Sequence, residues 1–263
     1  MQYYALDLSK PCLEESMRQL TPNYKFVKCF GLWGTFDDAL TWSRTIPSAK
    51  CYLSLGSIFG NDYFEPAVAR LSVWAGAMSL QDRMLLGMDA RENLKEVWDA
   101  FHDAEGLFER FIRNGLVHAN KVLGESWYRD EDWNVAGILQ ENPTTHRFVI
   151  TAVRDVFCEL LQLRFAAGDE IDCYETFKYG PTSMRKQFEK AGFKELGNWK
   201  APSSPICKYS LDQTAFYIFN SRTIRKTQIM KGSLTNRVDE YLLSSSTSAL
   251  DSPTTNPDAS YLE

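Results

Sequence analysis

Histidine is scarce in this 263-residue chain, with three copies at His102, His118 and His146. The six cysteines, Cys12, Cys29, Cys51, Cys158, Cys173 and Cys207, include no Cys-x-x-Cys pair. Zinc sites and disulfide frameworks need clustered ligands or paired thiols, so neither a metal centre nor a cross-linked scaffold is expected. Reduced thiols make the cytoplasm the expected compartment. No stretch approaches the roughly 18 consecutive apolar residues of a membrane span. The opening Met-Gln-Tyr-Tyr-Ala-Leu-Asp lacks the charged start and long apolar core of a signal peptide. Positive charge is thin as well: the formal net charge is -5, and Lys and Arg form no stripe. Nucleic acids are bound by clustered basic residues, so no nucleic-acid partner is expected.

What is present is core-forming material. The chain is 44% hydrophobic and 24% charged, enough for one large or two small domains. Its first ninety or so residues alternate short apolar runs with helical patterns. Strands are expected at Tyr3–Leu8, Tyr24–Leu32, Cys51–Leu55 and Met84–Met88, with helices at Pro11–Leu20, Asp37–Ile46 and Pro66–Met78. That β-α-β-α-β-α-β order is the signature of a parallel sheet with crossover helices. The pattern then changes. Glu92–Phe101 and Gly106–Leu123 read as successive helices, and Trp127–Pro143 as mixed and loop-rich. Phe148–Val153, Leu160–Phe165 and Glu170–Lys178 read as strands. This is the pattern of an α+β unit inserted into the first sheet. Pro181–Ala191 is helical and stops at Gly192, before an expected antiparallel pair at Phe193–Trp199 and Ala215–Phe219. The expected domains are therefore residues 1–90 with 180–222, an insertion at 91–179, and a polar, disordered tail at 223–263.

The stretch that carries chemistry is Lys50–Tyr63. A buried strand opens at Gly56 into a turn with Gly60, Asn61 and Asp62, and a helix follows. Open α/β sheets bind ligands at such strand ends, and glycines let the backbone approach them. A plain strand-to-helix turn is an equally open reading of this stretch alone. A nucleoside-binding sheet usually begins with a strand and a Gly-rich turn, followed about 20 residues later by an acidic residue that grips the ribose. Asp7 occupies the acidic position, and no Gly-rich turn precedes it. The sheet is therefore expected to be N-terminally truncated, starting at its second strand.

Five motifs occur in register: Tyr-Tyr-Ala-Leu-Asp-Leu-Ser (3–9), Gly-Leu-Trp-Gly-Thr-Phe-Asp-Asp-Ala-Leu (31–40), Leu-Gly-Ser-Ile-Phe-Gly-Asn (55–61), Leu-Leu-Gly-Met-Asp (85–89) and Tyr-Glu-Thr-Phe-Lys-Tyr (174–179). Together they resemble the histidine-specific, ergothioneine-type SAM-dependent methyltransferase family over roughly residues 2–220. Within it the chain is most similar to the fungal branch that includes dimethylallyltryptophan N-methyltransferase. The resemblance implies a class I methyltransferase (Rossmann-like) sheet with an inserted α+β substrate domain, and S-adenosyl-L-methionine as cofactor. It implies that Asp7 binds the cofactor's ribose and that Thr35 and Phe36 lie at its adenine, where the family carries Asp-Phe. It places Gly56 and Asn61 at the amino-acid end of a small-molecule amine. Phe101 stands where the family has a Tyr at that same end. Glu175 and Phe177 match a Glu-x-Ser pair that reads imidazole, and Thr151 matches a Met of the side-chain pocket.

Imidazole has two ring nitrogens that a closed pocket must satisfy, whereas indole has one N–H donor. Glu175 can accept that one bond while Phe177 packs on the rings. The pair therefore favours an indole amine, such as a prenylated tryptophan of alkaloid metabolism, over histidine. The alternative for Phe177 is that it points into the core, as alternate strand residues do. No catalytic base is assigned. His102 is a possible proton acceptor, and a solvated helix histidine is its more ordinary reading. Two other functions stay open: a histidine methyltransferase of ergothioneine synthesis, and an inactive binding protein left by loss of the nucleotide loop.

Overall fold

A computed structural model describes residues 1–20 and 24–214. The strand expected at Ala215–Phe219 and the tail at 223–263 lie outside the described residues. The chain divides into two compact units, with the boundary after Ser48.

In the first unit, β1 (Gln2–Asp7) lies parallel to β2 (Lys28–Trp33), and α1 (Lys10–Leu20) connects them. Helix α1 buries Leu13 and Met17, four residues apart on one face, and Gly31 of β2 leaves room for both. Tyr4 stacks on Phe30 and meets the edge of Trp42 from α2 (Phe36–Ser43). Thr35 caps α2 in a reciprocal box with Asp38, which starts this helix where the sequence places it.

In the second unit, β3 (Cys51–Ser54) leads through α3 (Phe64–Ala77) to the parallel β4 (Arg83–Asp89). The chain then leaves this sheet through α4 (Leu94–Phe101) and α5 (Leu107–Leu123). Next come β5 (Trp133–Gln140), β6 (Thr144–Ala152), the short hairpin of β7 (Val156–Cys158) and β8 (Leu163–Phe165), and β9 (Glu170–Lys178). It returns through α6 (Pro181–Lys190), β10 (Phe193–Lys200) and β11 (Ile206–Gln213). The first sheet has the order β10-β11-β4-β3, and the second is the antiparallel set β5-β6-β9. Strand β4 is buried along most of its length, as its unbroken apolar run requires. Its Met84 and Leu86 join Leu71 and Ala75 of α3, Met184 and Phe188 of α6, and Tyr209 and Leu211 of β11 in one core.

Two sequence expectations differ from the described structure. Among the described residues the antiparallel partner of β10 is Ile206–Gln213, where no strand was expected. Its alternate residues Cys207, Tyr209, Leu211 and Gln213 are buried, but the intervening Lys, Ser and Asp dilute the apolar signal. Residues 127–143 are not mainly loop, because β5 runs through them. Its pattern is broken by Ala136 and Gly137, and Gly137 is small because a ring lies on it: a Cβ there would come within 2.4 Å of His102 Cε1.

That ring belongs to a buried histidine pair. His102, at the C-terminal cap of α4, shares an Nε2···Nε2 hydrogen bond of 2.9 Å with His146 of β6. His146 is fully buried. It is stacked on Phe101, while His102 stacks on Trp98 at 3.7 Å. His102 is thus no solvated helix histidine. Burial holds the pKa of His146 down to about 4, and the neighbouring His102 and Lys178 push the same way. Burial lowers His102 too, against Glu109 and Asp103, which favour its charged form. In the unfolded chain these rings titrate near 6.5. The unfolded state therefore takes up protons first as pH falls. The contribution of neutral His146 is whole above about pH 6.5 and is lost progressively toward pH 4, by on the order of 3 kcal/mol. Thermal denaturation between pH 7 and 4 should show this fall. His146→Phe, which keeps the stacking, should flatten it, and equal slopes for the two proteins would contradict the assignment.

Candidate active site

The turn between β3 and α3 is where the sequence-predicted residues gather. Two of its residues adopt left-handed backbone, Ser57 at φ 59° and Gly60 at φ 79°. The Ser57 N–H donates to the Gly87 carbonyl at 2.9 Å, and the Asp89 N–H donates to Ser57 Oγ at 2.8 Å. Gly87 must be glycine, because a Cβ there would lie 2.7 Å from the Leu55 carbonyl oxygen. Gly56 lies in open space: a Cβ there would meet only Ile58, at 4.0 Å. The conformationally demanding glycine of this turn is Gly60.

Four consecutive residues at the end of β9 fasten to this corner of the molecule. Asn61 Oδ1 accepts from Thr176 Oγ1 at 3.0 Å and from the Phe177 N–H at 2.8 Å. The Tyr179 hydroxyl donates to the Asp62 carbonyl at 2.9 Å. Lys178 Nζ sits 3.0 Å from Asp89 Oδ2, with both side chains 8% exposed, and Arg91 reaches the same oxygen at 2.7 Å. The Phe177 ring packs edge-on against Tyr63, with centroids 4.7 Å apart. Asn61 therefore spends its acceptor on β9. Its Nδ2 amide, with two donors, has no partner among the described residues.

Strand parity sorts the remaining residues. Glu175 and Phe177 share a face of the second sheet with Arg147 and Thr145 of β6. The Glu175 carboxylate is half-buried and has no hydrogen-bond partner among the described residues. Its pKa is raised above the usual carboxylate range by desolvation, opposed by Arg147 and reinforced by Asp172 and Asp62. Arg147 is held by Asp172, with Nη1 3.0 Å from Oδ1. Phe177 is 7% exposed and belongs to the core, so the ring that shares a face with Glu175 is anchored rather than free to swing. Phe101 lies on the other face, among Val97, Ile112 and Phe148, with Lys178 Nζ 5.5 Å from its ring centre. Thr151 is on the Glu175 face, four residues and about 13 Å along β6 from Arg147. Asn61 is thus bonded to the strand that carries Glu175 and Phe177. Phe101 lies on the opposite face from Glu175, stacked on His146, whose cross-strand neighbour Thr176 donates to Asn61. Thr151 lies farther along β6. A cleft of about 720 Å³ between the β4–α4 link, α4 and the β10–β11 loop contains none of these residues.

In the first unit, Asp7 and the segment Gly34–Phe36 lie at the carboxyl ends of the parallel β1 and β2, where such sheets bind ligands. Asp7 Oδ1 accepts from the Ser9 N–H at 2.8 Å, and Oδ2 has no partner among the described residues. Phe36 is 51% exposed. The Thr35 hydroxyl is spent on Asp38: it donates to Oδ2 at 2.7 Å and accepts from the Asp38 N–H at 3.1 Å. A carboxylate oxygen with spare acceptor capacity and an exposed aromatic face fit a nucleoside's hydroxyls and base.

Sequence reasoning gave no role to Asp62, Asp89, Thr176, Lys178 and Tyr179, which tie this corner together. The available signal was that each lies in the turn or in a motif already singled out.

The profile of a family described as histidine-specific, SAM-dependent methyltransferase matches residues 1–213. Ergothioneine biosynthesis protein 1 of Neurospora crassa is 34% identical over 206 residues, which is 76% of this chain and 23% of that protein. The protein of the same name from Schizosaccharomyces pombe is 28% identical, over 80% of this chain and 28% of its own length. 4-Dimethylallyltryptophan N-methyltransferase of Claviceps purpurea is 26% identical over 80% of this chain and 67% of its own. The chain thus spans about a quarter of the length of the two ergothioneine proteins it matches.

Proposed function

Because this chain belongs to the histidine-specific, SAM-dependent methyltransferase family, we propose that it takes part in methyl transfer to the amino nitrogen of an aromatic amino-acid derivative. The acceptor we assign is an indole amine such as a prenylated tryptophan. S-adenosylmethionine supplies an activated methyl group when bound. Asp7 would hold its ribose hydroxyls and Phe36 would cover its adenine. In the second unit, the Asn61 amide donates to the α-carboxylate of the acceptor. Glu175 accepts the single N–H of the indole. The acceptor's amine must lose its proton before it attacks, and a fixed pose with water excluded favours that step.

The observation that carries this reading is the half-buried Glu175 carboxylate, without a hydrogen-bond partner among the described residues and flanked on its face by Phe177, packed on Tyr63. An imidazole would find one nitrogen satisfied and the other against an aromatic edge, which costs affinity. A second reading, histidine as acceptor, is favoured by the same glutamate and by the 34% identity to the Neurospora ergothioneine protein. A methyl-transfer assay separates them, with L-histidine, L-tryptophan and a prenylated tryptophan in parallel. The indole acceptors should turn over faster. Faster turnover of histidine would overturn the assignment.

A further inference from the structure

Gln187 of α6 is fully buried, and neither its Oε1 nor its Nε2 has a hydrogen-bond partner among the described residues. A buried amide left unmet costs about 1–3 kcal/mol, so it calls for an explanation. Its surroundings supply one. A Cβ built on Gly60 would lie 3.2 Å from Gln187 Oε1 and 2.8 Å from Met88 Cε. That places the Gly60 Cα within about 5 Å of the amide oxygen. The amide and the Gly60 backbone are therefore neighbours in the core, and the amide has no hydrogen-bond partner among the described residues. The turn is held on either side of this point, at Ser57, Asn61 and Asp62. At Gly60 itself φ is 79°, and the next N–H, of Asn61, reaches the Ile58 carbonyl at 3.3 Å.

We propose that Gln187 is a positioning residue for the β3–α3 turn, holding the Gly60 peptide from beneath so that Asn61 presents its amide to the acceptor. The proposal rests on the acceptor reading above only for its effect on catalysis. Its structural content stands alone. A glutamine at this core position, where Met184 and Phe188 of the same helix are apolar, is there for its amide rather than for its volume.

The test is Gln187→Met in the full chain, a change that keeps volume and removes both polar groups, with Gln187→Leu as a second variant. Amide hydrogen exchange is measured on free wild type and variants. Exchange at Gly60 and Asn61 should quicken about fivefold or more, the factor a hydrogen bond of ordinary strength contributes, with α3 unaffected. In the transfer assay the KM for the acceptor should rise while kcat and SAM affinity hold. A turn that exchanges at the wild-type rate in a variant of equal or higher Tm would overturn the proposal, showing Gln187 to be a tolerated orphan. If the turn exchanges faster but Asn61→Ala leaves acceptor binding unchanged, the acceptor reading fails and the positioning role stands.

Discussion

The second unit depends on one side-chain oxygen. Asn61 Oδ1 takes two hydrogen bonds from β9, and with them the turn after β3 is fixed to the far end of the second sheet. The two partners are more than a hundred residues away in sequence, so this contact closes a long loop. Each bond contributes only about 1 kcal/mol net, but an unmet buried carbonyl would cost more than it gives. The arrangement also divides the asparagine's labour: the oxygen serves the fold, and the nitrogen, without a partner among the described residues, is the group proposed to meet the acceptor.

Charge reinforces the same junction. Asp89, at the carboxyl end of β4, meets Lys178 from β9 and Arg91 from the β4–α4 link. A nearly buried pair of this kind gains little net stability, because desolvation offsets the attraction, but breaking it strands a charge. Its effect is to fix register: Lys178 can reach Asp89 only if β9 ends where it does. Glu175 stands in contrast, half-buried and without a hydrogen-bond partner among the described residues. Four successive residues at the end of β9 and just after it, Thr176 to Tyr179, tie down Asn61, Asp62 and Asp89, while the glutamate before them has no such tie among the described residues.

Much of this was legible in the residues. The alternation of apolar runs and helical periods located β1 to β4 and α1 to α3, and the change of pattern after Asp89 marked where the chain leaves the first sheet. Asn61 stood out because it follows a glycine at a strand end and falls in one of the family's motifs, although a plain strand-to-helix turn was an equally open reading of that stretch alone. Less legible was everything decided by distance. Strand β5 was hidden by Gly137, whose smallness is set by a histidine from another helix. The strand at Ile206–Gln213 was not expected because a buried face with Lys and Asp between its apolar residues carries a weak signal. The ties from Thr176, Lys178 and Tyr179 could not be seen, since each needs the fold to bring its partner near. Phe101, placed at the acceptor's amino-acid end by the resemblance, packs on the face of the sheet opposite Glu175, stacked on His146, because the helix that carries it packs on that face.

The central claim is that Asn61 has two separable roles, and Asn61→Asp separates them. The substitution keeps an oxygen for Thr176 and Phe177 and replaces the two amide donors with negative charge. Calorimetric titration of an L-tryptophan-derived amine into both proteins, alongside their melting curves, is the direct measurement. The account predicts a Tm close to wild type and acceptor binding weakened by about 1.5–3 kcal/mol, the contribution of a hydrogen bond to a charged group. Unchanged acceptor binding in a folded Asn61→Asp protein would contradict it.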